Sequence, residues 1–103
     1  MAPTAYITKR ASQFLNGIHR FVDDLPDLAE EWDALDEVEQ VTFSLEWDHM
    51  MADYLTQLAE YHSGGQLTKV QQKSYSKLLN RLKDNMSIIE RLDWYRPPVS
   101  LTV

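Results

Sequence analysis

One stretch limits what this chain can fold into: residues 36–62, DEVEQVTFSLEWDHMMADYLTQLAEYH. Read as a single helix at about 100° per residue, it sets Val41, Leu45, Trp47, Met51, Leu55 and Leu58 on one side. Phe43, Met50, Ala52, Tyr54, Ala59 and Tyr61 widen that side, while Thr42, Glu46, His49, Asp53, Thr56 and Glu60 share the other. A surface helix carries an apolar stripe of a little over 100°; this arc is about twice as wide by the same geometry. Such a helix has to be covered on two sides, by its own chain or by a second copy.

The flanking segments supply candidate covers. A first helix is expected from Thr4 to Asp24, with Ile7, Ala11, Phe14, Leu15, Ile18, Phe21 and Val22 repeating at three and four. Pro3 and Thr4 fit its start, and Gly17 inside it suggests a close helix contact. Pro26 disfavours helical backbone at the residue before it. The pattern therefore predicts a break, with Asp24 capping a short second helix lined by Leu25, Leu28, Trp32 and Leu35. Asp36 and Glu39 have capping-box spacing at the head of the central helix, and Ser63-Gly64-Gly65 supplies its end. Thr68 and Gln71 repeat the capping box and open a last helix, whose stripe runs from Val70 through Leu78, Leu82 and Ile89 to Leu92. That helix should end near Asp93, before Arg96-Pro97-Pro98 and an extended tail. The sum is an all-α chain: one domain over residues 1–103, an antiparallel bundle of three long helices and one short helix, with an extended C-terminal tail.

Charge is segregated along the chain. The net charge of −6 hides an acidic middle, residues 21–68, without a single Lys or Arg, between basic ends. Folding the last two helices together about Gly64-Gly65 would bring Lys69 near Glu60, Lys77 near Asp53, and Arg81 near Glu46, Asp48 or His49. The same complementarity could instead operate between copies. The acidic block argues against nucleic acid as a partner, because it repels phosphates; the Lys69, Lys73, Lys77, Arg81 row lacks the aromatic interleaving of a nucleic-acid surface. The chain has no cysteine, which removes thiolate chemistry and disulfides. No apolar run approaches the 18 or so residues of a membrane span. The opening residues lack an apolar signal region, so a cytoplasmic location is the expectation.

Chemistry-bearing residues are few. Glu46-x-x-His49 has the spacing by which one helix supplies two ligands to a di-iron centre, but no second Glu-x-x-His accompanies it. With Asp53 it forms a weak candidate metal site, set against a plain solvated face carrying an i,i+4 His–Asp pair. Asp48 falls inside the apolar arc, where a buried ion pair with Arg81 competes with an acid–base role. His19 with Asp23 reads as a surface pair, and His62 as a cation at a helix C-terminus. No cofactor is implied. A small metal-dependent or acid–base enzyme using Glu46, Asp48, His49 and Asp53 is thus the alternative rather than the leading expectation.

The leading expectation is a non-enzymatic interaction module or adaptor, self-associating or bound to a protein partner. Its candidate interface is Phe43, Trp47, Met50, Met51, Tyr54, Leu58 and Tyr61, since aromatic residues and Met are enriched at interfaces. The bland alternative is that the first helix, the short helix and the tail cover all of that surface. The tail is too apolar for a merely solvated segment: Trp94 or Tyr95 is expected to pack on the bundle, and Val99 and Leu101 to dock in a groove of this chain or of a partner.

Overall fold

Thr4 opens the computed structural model, which describes residues 4–101, by accepting the Ile7 amide at 3.1 Å on Oγ1 as an N-cap. Pro3 and the last two tail residues lie outside the described residues. Helix α1 spans Ala5–Glu31 and runs straight through Pro26. The break predicted there does not occur. Proline in a helix interior costs about 3 kcal/mol, but here it sits on the exposed side of a stripe that keeps its register across it. Ile18, Val22, Leu25 and Ala29 are all buried, and each large apolar side chain taken from water returns about 1.5–3 kcal/mol. Continuing the helix wins over restarting it. A 3₁₀ turn, Trp32–Ala34, then ends the run. Gly17 is exposed, and a methyl group there would meet nothing within 4 Å, so it marks no close helix contact.

The Asp36 capping box forms in both directions: the Glu39 amide donates to Asp36 Oδ1 at 2.8 Å, and the Asp36 amide to Glu39 Oε1 at 3.3 Å. Helix α2, Glu37–His49, passes without interruption into a π-helical segment, Met50–Leu55, and then into α3, Thr56–Ser63. Side chains spaced i, i+4, i+4 drift by about 40° per step in an α-helix. Trp47, Met51 and Leu55 have that spacing and are all fully buried. The wider π winding keeps them in line, which is our account of why it occurs here. Gly65, at φ +67°, ends α3: its amide donates to the His62 carbonyl, and the Gln66 amide to that of Tyr61. This is a Schellman arrangement with glycine where left-handed backbone is needed.

Helix α4, Lys69–Asp84, starts from a second complete capping box between Thr68 and Gln71. It stops at Asn85, whose side chain donates to the Arg81 carbonyl at 2.7 Å, and a short α5 follows over Met86–Arg91. The short helix of the bundle is therefore this one, after α4, not one before the central helix. α5 ends in a second Schellman arrangement, with the Trp94 amide donating to the Ile89 carbonyl at 3.0 Å and Asp93 at φ 56°. Left-handed backbone costs a non-glycine residue about 1–2 kcal/mol. Asp93→Gly is expected to raise stability by about 1 kcal/mol, read as a higher urea midpoint at unchanged m-value.

Helix α1 is the hub, packed against α3, the π segment, α4 and α5. The central helix runs antiparallel to it, pairing Phe14 with Tyr54 in a stack at 4.5 Å and Phe21 with Phe43 edge-on at 6.5 Å. α4 runs parallel to α1, from Thr8–Gln71 contacts at one end to Asp23–Arg81 contacts at the other. The hairpin register predicted from charge is not used. Among the described residues the Arg and Lys ion pairs are Arg81–Asp23 and Arg96–Glu90, and Lys69–Glu60 and Lys77–Asp53 are not among them. Arg91 reaches α1 as well, donating to the Ala29 carbonyl at 2.6 Å in the last turn of α1, where a cation also complements the helix dipole.

His19 shows how closely α4 is keyed to α1. Arg81 Nη1 lies 3.0 Å from His19 Nδ1, and since the guanidinium only donates, Nδ1 accepts. The remaining ring proton is on Nε2, within 3.2 Å of the Ser74 carbonyl and hydroxyl. Burial, with Arg81 and Lys77 adding to it and the Ser74 contact and Asp23 opposing, holds the imidazole below its ordinary 6.5. Between that lowered value and about 6.5 the unfolded chain binds more protons than the folded one, so stability falls as pH falls through this window. His19→Gln should flatten the loss, compared by urea melts at about pH 7.5 and about pH 5.5. A variant with the same pH slope as the parent would show that His19 does not titrate this contact.

Candidate functional site

The wide arc of the central helix resolves into two stripes. Val41 and Trp47 are six residues apart, which places them about 120° apart around an α-helix. The inner stripe, Trp47, Met50, Met51 and Leu58, is buried in the chain's own core, and Phe43, Tyr54 and Tyr61 are partly buried against it. These seven side chains, the interface expected from sequence, are thus taken up largely by the monomer. The outer stripe is Val38, Val41 and Leu45, exposed by 74%, 50% and 62%. Its i, i+3, i+7 spacing lines the three up on one face of α2. Glu37 and Asp48 border that face on one side, Glu39 and Glu46 on the other, all exposed. Sequence reading placed Val41 and Leu45 inside the arc and passed over Val38; the visible signal was the acidic border on either side of them.

Next to this ridge, α1 and α2 part to leave a groove of about 460 Å³. Phe21, Leu28 and Phe43 line its apolar part, and Gly17 leaves one wall without a side chain. Asp24, Asp27, Glu31 and Glu46, all exposed, stand at its edge, and Arg20 is the one basic residue of the lining. Glu46 belongs to both features, on the groove edge and on the flank of the ridge.

The tail closes the far side of the same end of the bundle. Trp94 is buried, with its ring 5.3 Å from Trp47, 5.5 Å from Trp32 and 5.9 Å from Phe21. Trp47 Nε1 donates to the Tyr95 carbonyl at 2.7 Å, which ties the central helix to the tail backbone. Val99 and Leu101 are partly buried against the core, whereas the Tyr95 ring is exposed by 49%.

The residues with possible chemistry do not converge. His49 and Asp53 lie 3.9 Å apart on an exposed face, the His49 ring edge-on to Tyr54 at 4.9 Å. Asp48 is exposed rather than buried, and Arg81 is engaged by Asp23 and His19. Among the described residues, no three His, Asp or Glu side chains gather in a group that could hold a metal ion. His62 tilts against Tyr75 at 5.0 Å. Among the described residues, no helix is long and apolar enough to cross a membrane. Comparison of the chain with protein-family models, with curated proteins and with solved structures returned no match.

Proposed function

We propose that this chain is a non-enzymatic interaction module, an adaptor that holds a protein partner along the outer face of α2. The observation that carries the reading is the line of Val38, Val41 and Leu45, left in water on a helix whose other apolar stripe is largely taken up by the core. Single exposed apolar residues are ordinary, but an aligned set rimmed by polar groups is the mark of a contact surface. The acidic border selects among partners. In a contact between two copies across the same face, Glu37, Glu39, Glu46 and Asp48 would meet their own kind, a repulsion that weighs against self-association through this ridge. A different protein with an apolar stripe and basic flanks would meet both features.

Val41→Gln with Leu45→Gln removes the stripe while leaving the core untouched. Cross-linking from the α2 face, followed by recovery of the partner at low and high salt, should give a defined product with the parent chain. The product should be lost in the double variant and weakened as salt screens the acidic border. Equal recovery from parent and variant sinks the α2 reading, and a salt-stable dimer of the chain itself in light scattering replaces it with self-association.

A further inference from the structure

We infer that the groove between α1 and α2 receives one turn of a basic amphipathic helix from the partner, its apolar side chains on Phe21, Leu28 and Phe43 and its Lys or Arg residues on the acidic edge. The inference deepens the adaptor reading and rests on it in taking the occupant to be a protein. Three observations on the groove converge. Its size of about 460 Å³ falls in the range of small-ligand sites, about 300–1,000 Å³, roomy enough for several side chains. Its floor is aromatic and aliphatic, with Phe21 and Phe43 only partly covered although both touch the core. Its edge is acidic on both helices, Asp24, Asp27 and Glu31 from α1 and Glu46 from α2, with Arg20 alone opposing them.

That charge pattern fixes the chemistry of the occupant. An acidic or neutral peptide would leave the carboxylates facing each other across a dry floor, whereas cationic side chains supply the missing counter-charge as they bury the floor. Among the described residues Arg20 is the one basic side chain of the lining, while Arg81 is held by Asp23 and His19 and Arg91 donates to the Ala29 carbonyl. Gly17 lines the groove on the α1 side without a side chain, and a Cβ there would meet nothing within 4 Å.

The probe is a synthetic Leu/Lys amphipathic helix of about 18 residues, long enough to be helical when bound. Its controls are a scrambled peptide of the same composition and a Leu/Glu counterpart. Titrated into the ¹⁵N-labelled chain, the amphipathic peptide should shift the amides of Phe21, Leu28 and Phe43 saturably, and weaken about tenfold or more when salt is raised from about 50 to about 500 mM. Gly17→Leu fills the groove and replaces a helix-interior glycine, so it should keep or raise the melting temperature while lowering affinity about tenfold or more. The inference is overturned if the scrambled or the Leu/Glu peptide binds as well, if Gly17→Leu binds like the parent, or if no groove amide moves. Val41→Gln with Leu45→Gln separates the two readings. Shifts confined to the α2 ridge and lost in that variant overturn the groove and leave the adaptor reading standing. Groove binding unaffected by that variant supports the groove and moves the partner off the ridge.

Discussion

Trp47→Ala is expected to lower folding stability by about 3–5 kcal/mol, the range for deleting a fully buried large aromatic side chain. For a domain whose whole stability is about 5–15 kcal/mol, that leaves a marginal protein. The melting temperature should fall by well over 10 °C, taking about 4–8 °C per kcal/mol at this size. The size of the effect follows from what Trp47 joins. It has no exposed surface, lies 5.8 Å from the Phe21 ring of α1 and 5.3 Å from the Trp94 ring of the tail, and donates its indole proton to the Tyr95 carbonyl. Removing it opens a cavity where three segments meet, so amide exchange should quicken across Trp94, Tyr95 and Leu101 as well as around the substitution. Two controls divide the loss. Trp47→Phe keeps most of the ring and loses the hydrogen bond, worth about 0.5–1.5 kcal/mol. Trp94→Phe trims ring area but breaks no hydrogen bond with the described residues, among which the buried Trp94 Nε1 has no partner. If Trp47→Ala unfolds at nearly the parent urea concentration, the aromatic junction does not hold the tail.

The helix starts were legible because capping is local. Asp36 with Glu39 and Thr68 with Gln71 announce their boxes within three residues of sequence, and both boxes close in the folded chain. What failed was any step that set a local penalty against a distant gain. Pro26 reads as a break in every window short enough to exclude its neighbours. The burial of Val22, Leu25 and Ala29, on a helix packed against α4 and α5, is what carries the helix through it, and that burial is tertiary. The π segment was invisible for the same reason, since it serves the alignment of Trp47, Met51 and Leu55 on a core that sequence does not display.

The charge pattern was legible as segregation but not as geometry. Sequence proximity pairs the helices flanking the Gly64-Gly65 turn, yet α4 turns its polar contacts toward α1: Gln71 to Thr8 and Ser12, Arg81 to His19 and Asp23. Among the described residues, the acidic side chains of α2 and of the C-terminal half of α1 form no ion pair with α4, apart from Asp23. The apolar surplus of the central helix was visible as a sum over both stripes. Which stripe faces inward depends on where α1 lies, and α1 meets the side of Phe43 and Trp47. Val38, Val41 and Leu45 were left outside by that choice.

Gln71→Glu should be the most damaging one-atom exchange in the chain, costing about 3 kcal/mol or more near neutral pH. Gln71 is buried, and every polar atom of its amide is used. Oε1 accepts the Thr68 amide at 3.1 Å to complete the capping box, while Nε2 donates to the Thr8 carbonyl at 2.8 Å and to Ser12 Oγ at 2.9 Å. One side chain thus starts α4 and fastens it to the first turns of α1. A carboxylate keeps the capping acceptor but replaces the donors with negative charge directed at the Thr8 carbonyl. The charged form is disfavoured in the folded state, so the new carboxyl's folded pKa is raised above its unfolded value of about 4.3. Its destabilisation is then least below about pH 4.3, where the acid is protonated in both states and can itself donate, and grows as pH rises to the folded value. Gln71→Leu supplies the pH-independent comparison: it removes the bonds to the Thr8 carbonyl and Ser12 and opens the capping box, at about 2–3 kcal/mol, with no added slope. Urea melts of the three proteins from about pH 4 to about pH 7.5 should show the Glu deficit widening relative to Leu. Parallel pH profiles for the two variants would mean that the carboxylate finds another donor in the folded state and that the α1–α4 fastening tolerates a charge.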